Sequence, residues 1–181
     1  MAEPRKLRRV VTGHDAQGRS CVVYDSDVPN KFPRVTGTCF NELWTFEQVP
    51  VRLAGREDGG AAGRPFLHSP PVAGAHWRIT DSPAKRIDAV SAEEKARLEA
   101  ANQTGGTQRQ QGGRVEGMHR TPSLDYAVLL DGERHLVLEE SDVLLHKGDV
   151  VIQLGNWHSW ENRSAVATLM SYVMIGGEFA G

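Results

Sequence analysis

The sequence predicts an all-β chain, an antiparallel sandwich or barrel, and three observations predict it. Nineteen glycines and nine prolines in 181 residues put a chain breaker about every six residues, which suits short strands and turns over long helices. From Gly117 onward, runs of five to eight residues rich in Val, Leu and Ile alternate with turn signals, the pattern of strands at near-regular spacing. Neither a Rossmann glycine fingerprint nor a P-loop is present, so nothing points to the parallel nucleotide-binding folds.

Taken in order, Lys6 to Thr12 and Cys21 to Tyr24 are runs rich in β-branched residues. The polar segment GHDAQGRS between them makes an N-terminal hairpin. Thr36 to Phe46 is a third strand, Gly55 to Pro65 a loop with four glycines, and Gly74 to Thr80 another strand. One short helix is expected from Ala92 to Ala101. Ser91 and Glu94 form its capping box, and Glu93 and Glu94 suit the positive end of its dipole. Asn102 to Gly117 is rich in Gly and Gln, a loop long enough to be a mobile lid or a disordered insertion. The turns of the C-terminal part are Asp131-Gly132, Glu139 to Asp142, Lys147-Gly148-Asp149, Gly155-Asn156 and Asn162 to Ser164.

Charge narrows the partners. Twenty-one Lys and Arg against 23 Asp and Glu give a net charge of −2. That argues against the basic surface needed for nucleic acid or an anionic membrane. No apolar run approaches the roughly 18 residues of a membrane span, and no apolar stretch follows the charged first residues as a signal peptide requires. The expected location is the cytoplasm. Cys21 and Cys39 are too few for a disulfide framework and too far apart for a zinc knuckle, so they are expected as small hydrophobes in a reducing compartment.

The chemistry lies in the C-terminal half. In a strand, residues two apart face the same way. His119, Thr121 and Asp125 share one parity, and His158, Trp160 and Asn162 share a face further on. If the sheet closes, His119, Asp125 and His158 converge, and two imidazoles with one carboxylate match a catalytic divalent metal with open positions. Such a site keeps residual positive charge, which polarises a bound oxygen ligand or lowers the pKa of a bound water. His76 is a further ligand or a general base, or an ordinary core histidine. Gln153, inside the apolar run VVIQLG, faces either the cavity, where it would orient substrate, or solvent. Thr121, Tyr126 and Trp160 are the expected pocket lining. His14, His68, His135 and His146 fall in or beside turns and carry no assigned role.

His119, Thr121, Asp125 and Gly132, followed by Gly148-Asp149, His158 and Asn162, resemble the paired motifs of the cupin superfamily, within the group of small single-domain cupins. The resemblance implies a double-stranded β-helix, or jelly-roll barrel, as a single domain over 1–181. N-terminal strands occupy 1–83, the helix and Gly/Gln-rich loop 84–117, and the motif barrel 118–178. Two departures matter: Thr121 stands where the family has its second histidine, and Asp125 is one methylene shorter than the usual glutamate. A three-ligand site is therefore the most the motifs allow. The implied cofactor is a divalent metal ion, Fe(II) first, with Zn, Mn or Ni as alternatives. The implied function is a non-haem iron oxygenase acting on a small oxygenated or aromatic compound. A redox-neutral metal-dependent isomerase, dehydratase, decarboxylase or hydrolase is the second reading, and a non-catalytic ligand-binding barrel the third. The implied partners are a small-molecule substrate and a second copy of the chain in a homodimer.

Overall fold

The computed structural model describes residues 5–34, 36–53, 56–84, 91–93 and 106–179. The described chain is built from strands: β1 Arg8–His14, β2 Ser20–Asp27, β3 Asn30–Pro33, β4 Cys39–Phe46, β5 Ala75–Ser82, β6 Gln108–Arg109, β7 His119–Arg120, β8 Ser123–Asp131, β9 Glu133–Leu138, β10 Asp142–His146, β11 Val150–Leu154, β12 His158–Glu161 and β13 Thr168–Gly176. They form an antiparallel β1–β2 hairpin, a five-stranded sheet in the order β10-β9-β12-β7-β6, and a six-stranded sheet in the order β11-β8-β13-β5-β4-β3. The jumps in strand order are the crossovers of a jelly roll, and the all-β expectation holds. The helix expected over 92–101 lies, beyond Glu93, outside the described residues. Among the described residues no helix is long and apolar enough to cross a membrane.

The core lies between the two larger sheets. Ala127, Leu129, Met170, Tyr172 and Met174 of the six-stranded sheet pack with Leu136 and Leu145 of the five-stranded one. Strand β8 shows why: its odd residues Ser123, Asp125, Ala127 and Leu129 are buried while Tyr126 and Leu130 are exposed, the period-2 alternation of a strand with one face inward. A second cluster of Val28, Leu43 and Ile79 lies on the other side of the six-stranded sheet. It is capped by the N-terminal hairpin, which Arg9 pins by donating to the Leu43 carbonyl at 3.0 Å and pairing with Asp58 at 2.6 Å.

Two sequence expectations need correction. The strand β3 went unread because it spans four residues and ends on Pro33, too short for a periodic signal. The Gly/Gln-rich segment is not wholly irregular, because β6 pairs Gln108 with Arg120 and Arg109 with His119. A strand of two residues carries no alternation for sequence to display, yet it lays this segment against β7. The β8–β9 turn requires a glycine: Gly132 has φ +76°, and an added Cβ would meet the Ala167 carbonyl oxygen at 2.8 Å.

Candidate metal centre and its polar surroundings

Strands β7 and β12 meet in one pairing, His158 opposite His119. Residues directly opposed across a ladder put their side chains on the same face, and the two imidazole centres lie 4.4 Å apart at 54°. Each ring is fixed from behind in the same way. His119 Nδ1 is 2.9 Å from the Gly117 carbonyl oxygen, and His158 Nδ1 is 2.9 Å from the Asn156 carbonyl oxygen. A carbonyl only accepts, so each Nδ1 carries the proton and each Nε2 is left with a lone pair. Burial drives both rings toward the neutral form. His158 is pushed down to about 3 by burial and by the neighbouring His119, and burial lowers His119 as well. Two neutral imidazoles, oriented by backbone acceptors and presenting Nε2, are the form in which histidine binds metal.

A third imidazole belongs to this cluster. His68, in the segment before β5, stands edge-on to His119 at 5.0 Å and 88°. Its backbone is held by Arg78, which donates to the Leu67 carbonyl at 2.6 Å and to the His68 carbonyl at 3.2 Å. Arg78 is itself buried, paired with Glu42 at 2.7 Å and stacked over Phe66 at 4.9 Å and Phe40 at 5.3 Å. Burial, then the neighbouring His119, keeps His68 neutral, and its Nδ1 is shielded with no hydrogen-bond partner. Sequence reading gave His68 no role. It lies outside both motifs, and the only local signal was an imidazole between the apolar Phe66-Leu67 and Ser69-Pro70-Pro71.

Asp125 comes from the facing sheet. It is 3% exposed, and its register partners are Gln153 on β11 and Met174 on β13, which is opposite His76 on β5. Gln153, Asp125, Met174 and His76 thus form one row on the inner face. This settles the facing of Gln153: it points inward, 3% exposed, with both amide atoms shielded and unpartnered. Asp125 hydrogen-bonds the Ser123 hydroxyl while its Oδ1 has no partner, and burial pushes its carboxyl up to about 6. His76 Nε2 lies 3.0 Å from the Met174 sulfur.

Thr121 is buried and its hydroxyl is 2.8 Å from that of Ser123. Trp160 faces the interior, with ring centres 6.1 Å from His158 and 5.6 Å from Tyr172. Tyr126 is a correction: it is 46% exposed on the outer face, because its neighbour Asp125 points inward and adjacent strand residues face opposite ways. The structure therefore brings His119 and His158 together, adds His68, and places Asp125 and Gln153 on the opposing sheet. Among the described residues no trio of His, Cys, Asp or Glu is already gathered closely enough to hold a metal ion.

No family model matches the chain. It is 32% identical over 173 residues to Phomopsin biosynthesis cluster protein C' of Diaporthe leptostromiformis, covering 91% of this chain and 75% of that protein. It is 28% identical over 180 residues to the cupin-domain-containing oxidoreductase fogC of Aspergillus ruber, covering 94% and 72%. Among solved structures, the cupin domain of Cnp3 from Schizosaccharomyces pombe aligns over 95% of this chain and 89% of its own, with a TM-score of 0.45 at 13% identity. With facing antiparallel sheets that carry both motifs, and relatives aligned along nearly its whole length, the chain belongs to the cupin superfamily.

Proposed function

We propose that this chain is a metal-dependent cupin oxidoreductase, a non-haem iron oxygenase acting on a small oxygenated or aromatic compound. The observation that carries the reading is the His119–His158 pair, with both Nδ1 protons given to backbone carbonyls and both Nε2 atoms left as donors. This donor set fits a divalent transition metal, and imidazole suits iron, zinc and nickel alike. The name oxidoreductase, carried by the relative fogC, supports redox chemistry over the redox-neutral alternatives.

Bound Fe(II) would supply the electrons and open positions that dioxygen chemistry needs. The chain's own residues do the rest. The buried Gln153 amide and the free Oδ1 of Asp125 offer donors and an acceptor to a polar substituent on the substrate. Trp160, Thr121 and the apolar core side chains of the inner face enclose its carbon skeleton. Asp125, whose carboxyl burial pushes up to about 6, is the group placed to hold or release a proton. That last feature also suits an isomerase, dehydratase, decarboxylase or hydrolase, the second reading.

Elemental analysis of protein purified without added metal, followed by substrate-dependent oxygen consumption, tests the reading. About one iron per chain with oxygen uptake supports it. Stoichiometric metal with turnover but no oxygen uptake moves the chain to the redox-neutral class. Ligand binding that survives exhaustive chelation makes it a binding barrel.

We further propose a homodimer formed through the outer face of the six-stranded sheet. There Ile152, Tyr126, Val173 and Trp77 form a cross-strand row, with Ile152 65% exposed on the edge strand β11. An open apolar edge is self-complementary about a two-fold axis. Cys21 and Cys39 are free thiols, in keeping with the cytoplasm as the place of action.

A further inference from the structure

We infer that His68 is the third metal donor, completing with His119 and His158 a three-imidazole site for a divalent transition-metal ion. This rests on the metal reading above and moves the third donor from Asp125 to a residue outside both motifs.

The first support is spacing. A metal–nitrogen bond of about 2.1 Å, with the nitrogen about 1.1 Å from the ring centre, puts each ring centre about 3.2 Å from a shared ion. At ligand angles of roughly 90–110°, two such rings have centres about 4.5–5.3 Å apart. The observed separations are 4.4 Å for His119–His158 and 5.0 Å for His68–His119. The second support is the buried Nδ1 of His68, which has no partner. A shielded polar atom without a partner carries a desolvation cost that binding a ligand offsets.

The third support is the fixture around His68. Arg78 spends two donors on the carbonyls of Leu67 and His68, and Glu42 neutralises it at 2.7 Å. A buried ion pair is costly to assemble, and here it anchors the backbone pivot of one imidazole beside two others. The fourth is the state of the competing donors. Thr121 is hydrogen-bonded to Ser123. Asp125 is hydrogen-bonded to the same Ser123 and lies in a row with Gln153 and Met174 on the facing sheet. No trio is already gathered among the described residues. Rotation of the His68 ring, which has no Nδ1 hydrogen bond to break, is the adjustment the site requires.

Co(II) titration of the metal-stripped chain tests this, read by d–d absorption and by competition with a chelator. The wild type is expected to bind one Co(II) per chain. His68→Ala is expected to bind at least about 10–100-fold more weakly, with altered d–d bands, while Asp125→Asn keeps the wild-type spectrum. His68→Ala leaves the Arg78 bonds to backbone carbonyls in place, so its melting should stay cooperative.

A readout on the wild type itself needs no variant. Each bound imidazole coordinates through one ring nitrogen and retains an exchangeable proton on the other, so the paramagnetic proton spectrum of the Co(II) form should contain three shifted exchangeable imidazole signals. Two such signals, or a His68→Ala titration identical to wild type, overturn the assignment while leaving the metal reading standing. A wild type that binds no Co(II) ends both.

Discussion

The imidazoles of His119 and His158 face each other at 4.4 Å across the single pairing of β7 with β12, and each gives its Nδ1 proton to the carbonyl two residues behind it. Because the rings are locked by the backbone, the two Nε2 atoms are oriented before any ligand arrives, which lowers the ordering cost of binding. His158→Ala is therefore expected to abolish metal binding. Metal content by elemental analysis and affinity by calorimetry check this; a variant that keeps one metal per chain removes His158 from the site.

The Arg78–Glu42 pair should dominate local stability. Both side chains are buried, 2.7 Å apart. Glu42→Ala leaves a buried guanidinium without its counter-charge and is expected to cost about 3–5 kcal/mol, read by urea unfolding. Because Arg78 also holds the backbone of Leu67 and His68, any metal affinity that depends on His68 should fall with it. Changing both residues to apolar side chains of similar volume should recover much of the stability but not the affinity.

Much of this arrangement was legible in the sequence, for reasons that differ by residue. The inward facing of Asp125 follows from strand parity, and the same parity, applied strictly, places Tyr126 outside. The closeness of His119 and His158 followed from strand parity together with closure of the sheet. His68 was illegible because its neighbours are set by a buried arginine reaching from β5, a contact with no local sequence signature. The inward face of Gln153 could not be chosen from its apolar strand, since period 2 defines two faces without naming the buried one. Registration against Asp125 decided it.

His76 gives a pH prediction. Burial, then the nearby positive charge of Arg78, holds it well below its ordinary value of 6.5. On its inner face it has Met174 and Arg78 as neighbours and Asp125 beyond Met174, with Glu42 paired to Arg78. Its folded pKa lies below its unfolded one, so between the two the unfolded chain binds more protons. Stability conferred by the neutral ring is present above about pH 6.5 and declines as pH falls. His76→Leu should reduce the slope of stability against pH on the acid side by up to about 1.4 kcal/mol per pH unit. Urea midpoints measured from pH 7 to pH 4 check it, and an unchanged slope would mean that His76 titrates alike in the folded and unfolded chain.

The outer face of β11 and β8 makes the oligomer testable. Ile152 is 65% exposed, so Ile152→Lys should change the stability of an isolated chain by no more than about 0.5 kcal/mol. In a dimer joined through this face it would place charge in an apolar contact. Light scattering on the eluted protein should give twice the chain mass for the wild type and the chain mass for the variant. A monomeric wild type removes the dimer.

Gln153 separates stability from function. Both of its amide atoms are buried without partners beside the unpartnered Oδ1 of Asp125. Such atoms destabilise a fold that has no use for them, by about 1–3 kcal/mol each where nothing compensates. Gln153→Met keeps the length of the side chain and removes the polar end, so the variant is expected to be at least as stable as the wild type. If the amide orients substrate, the same change should lower kcat/KM by tenfold or more while metal content stays at the wild-type level. Loss of stability without loss of turnover would show instead that the amide is satisfied by internal hydrogen bonding and belongs to the fold. Rising stability with falling activity is the signature of a residue kept for its ligand, because selection retains a destabilising polar group only where binding offsets its cost.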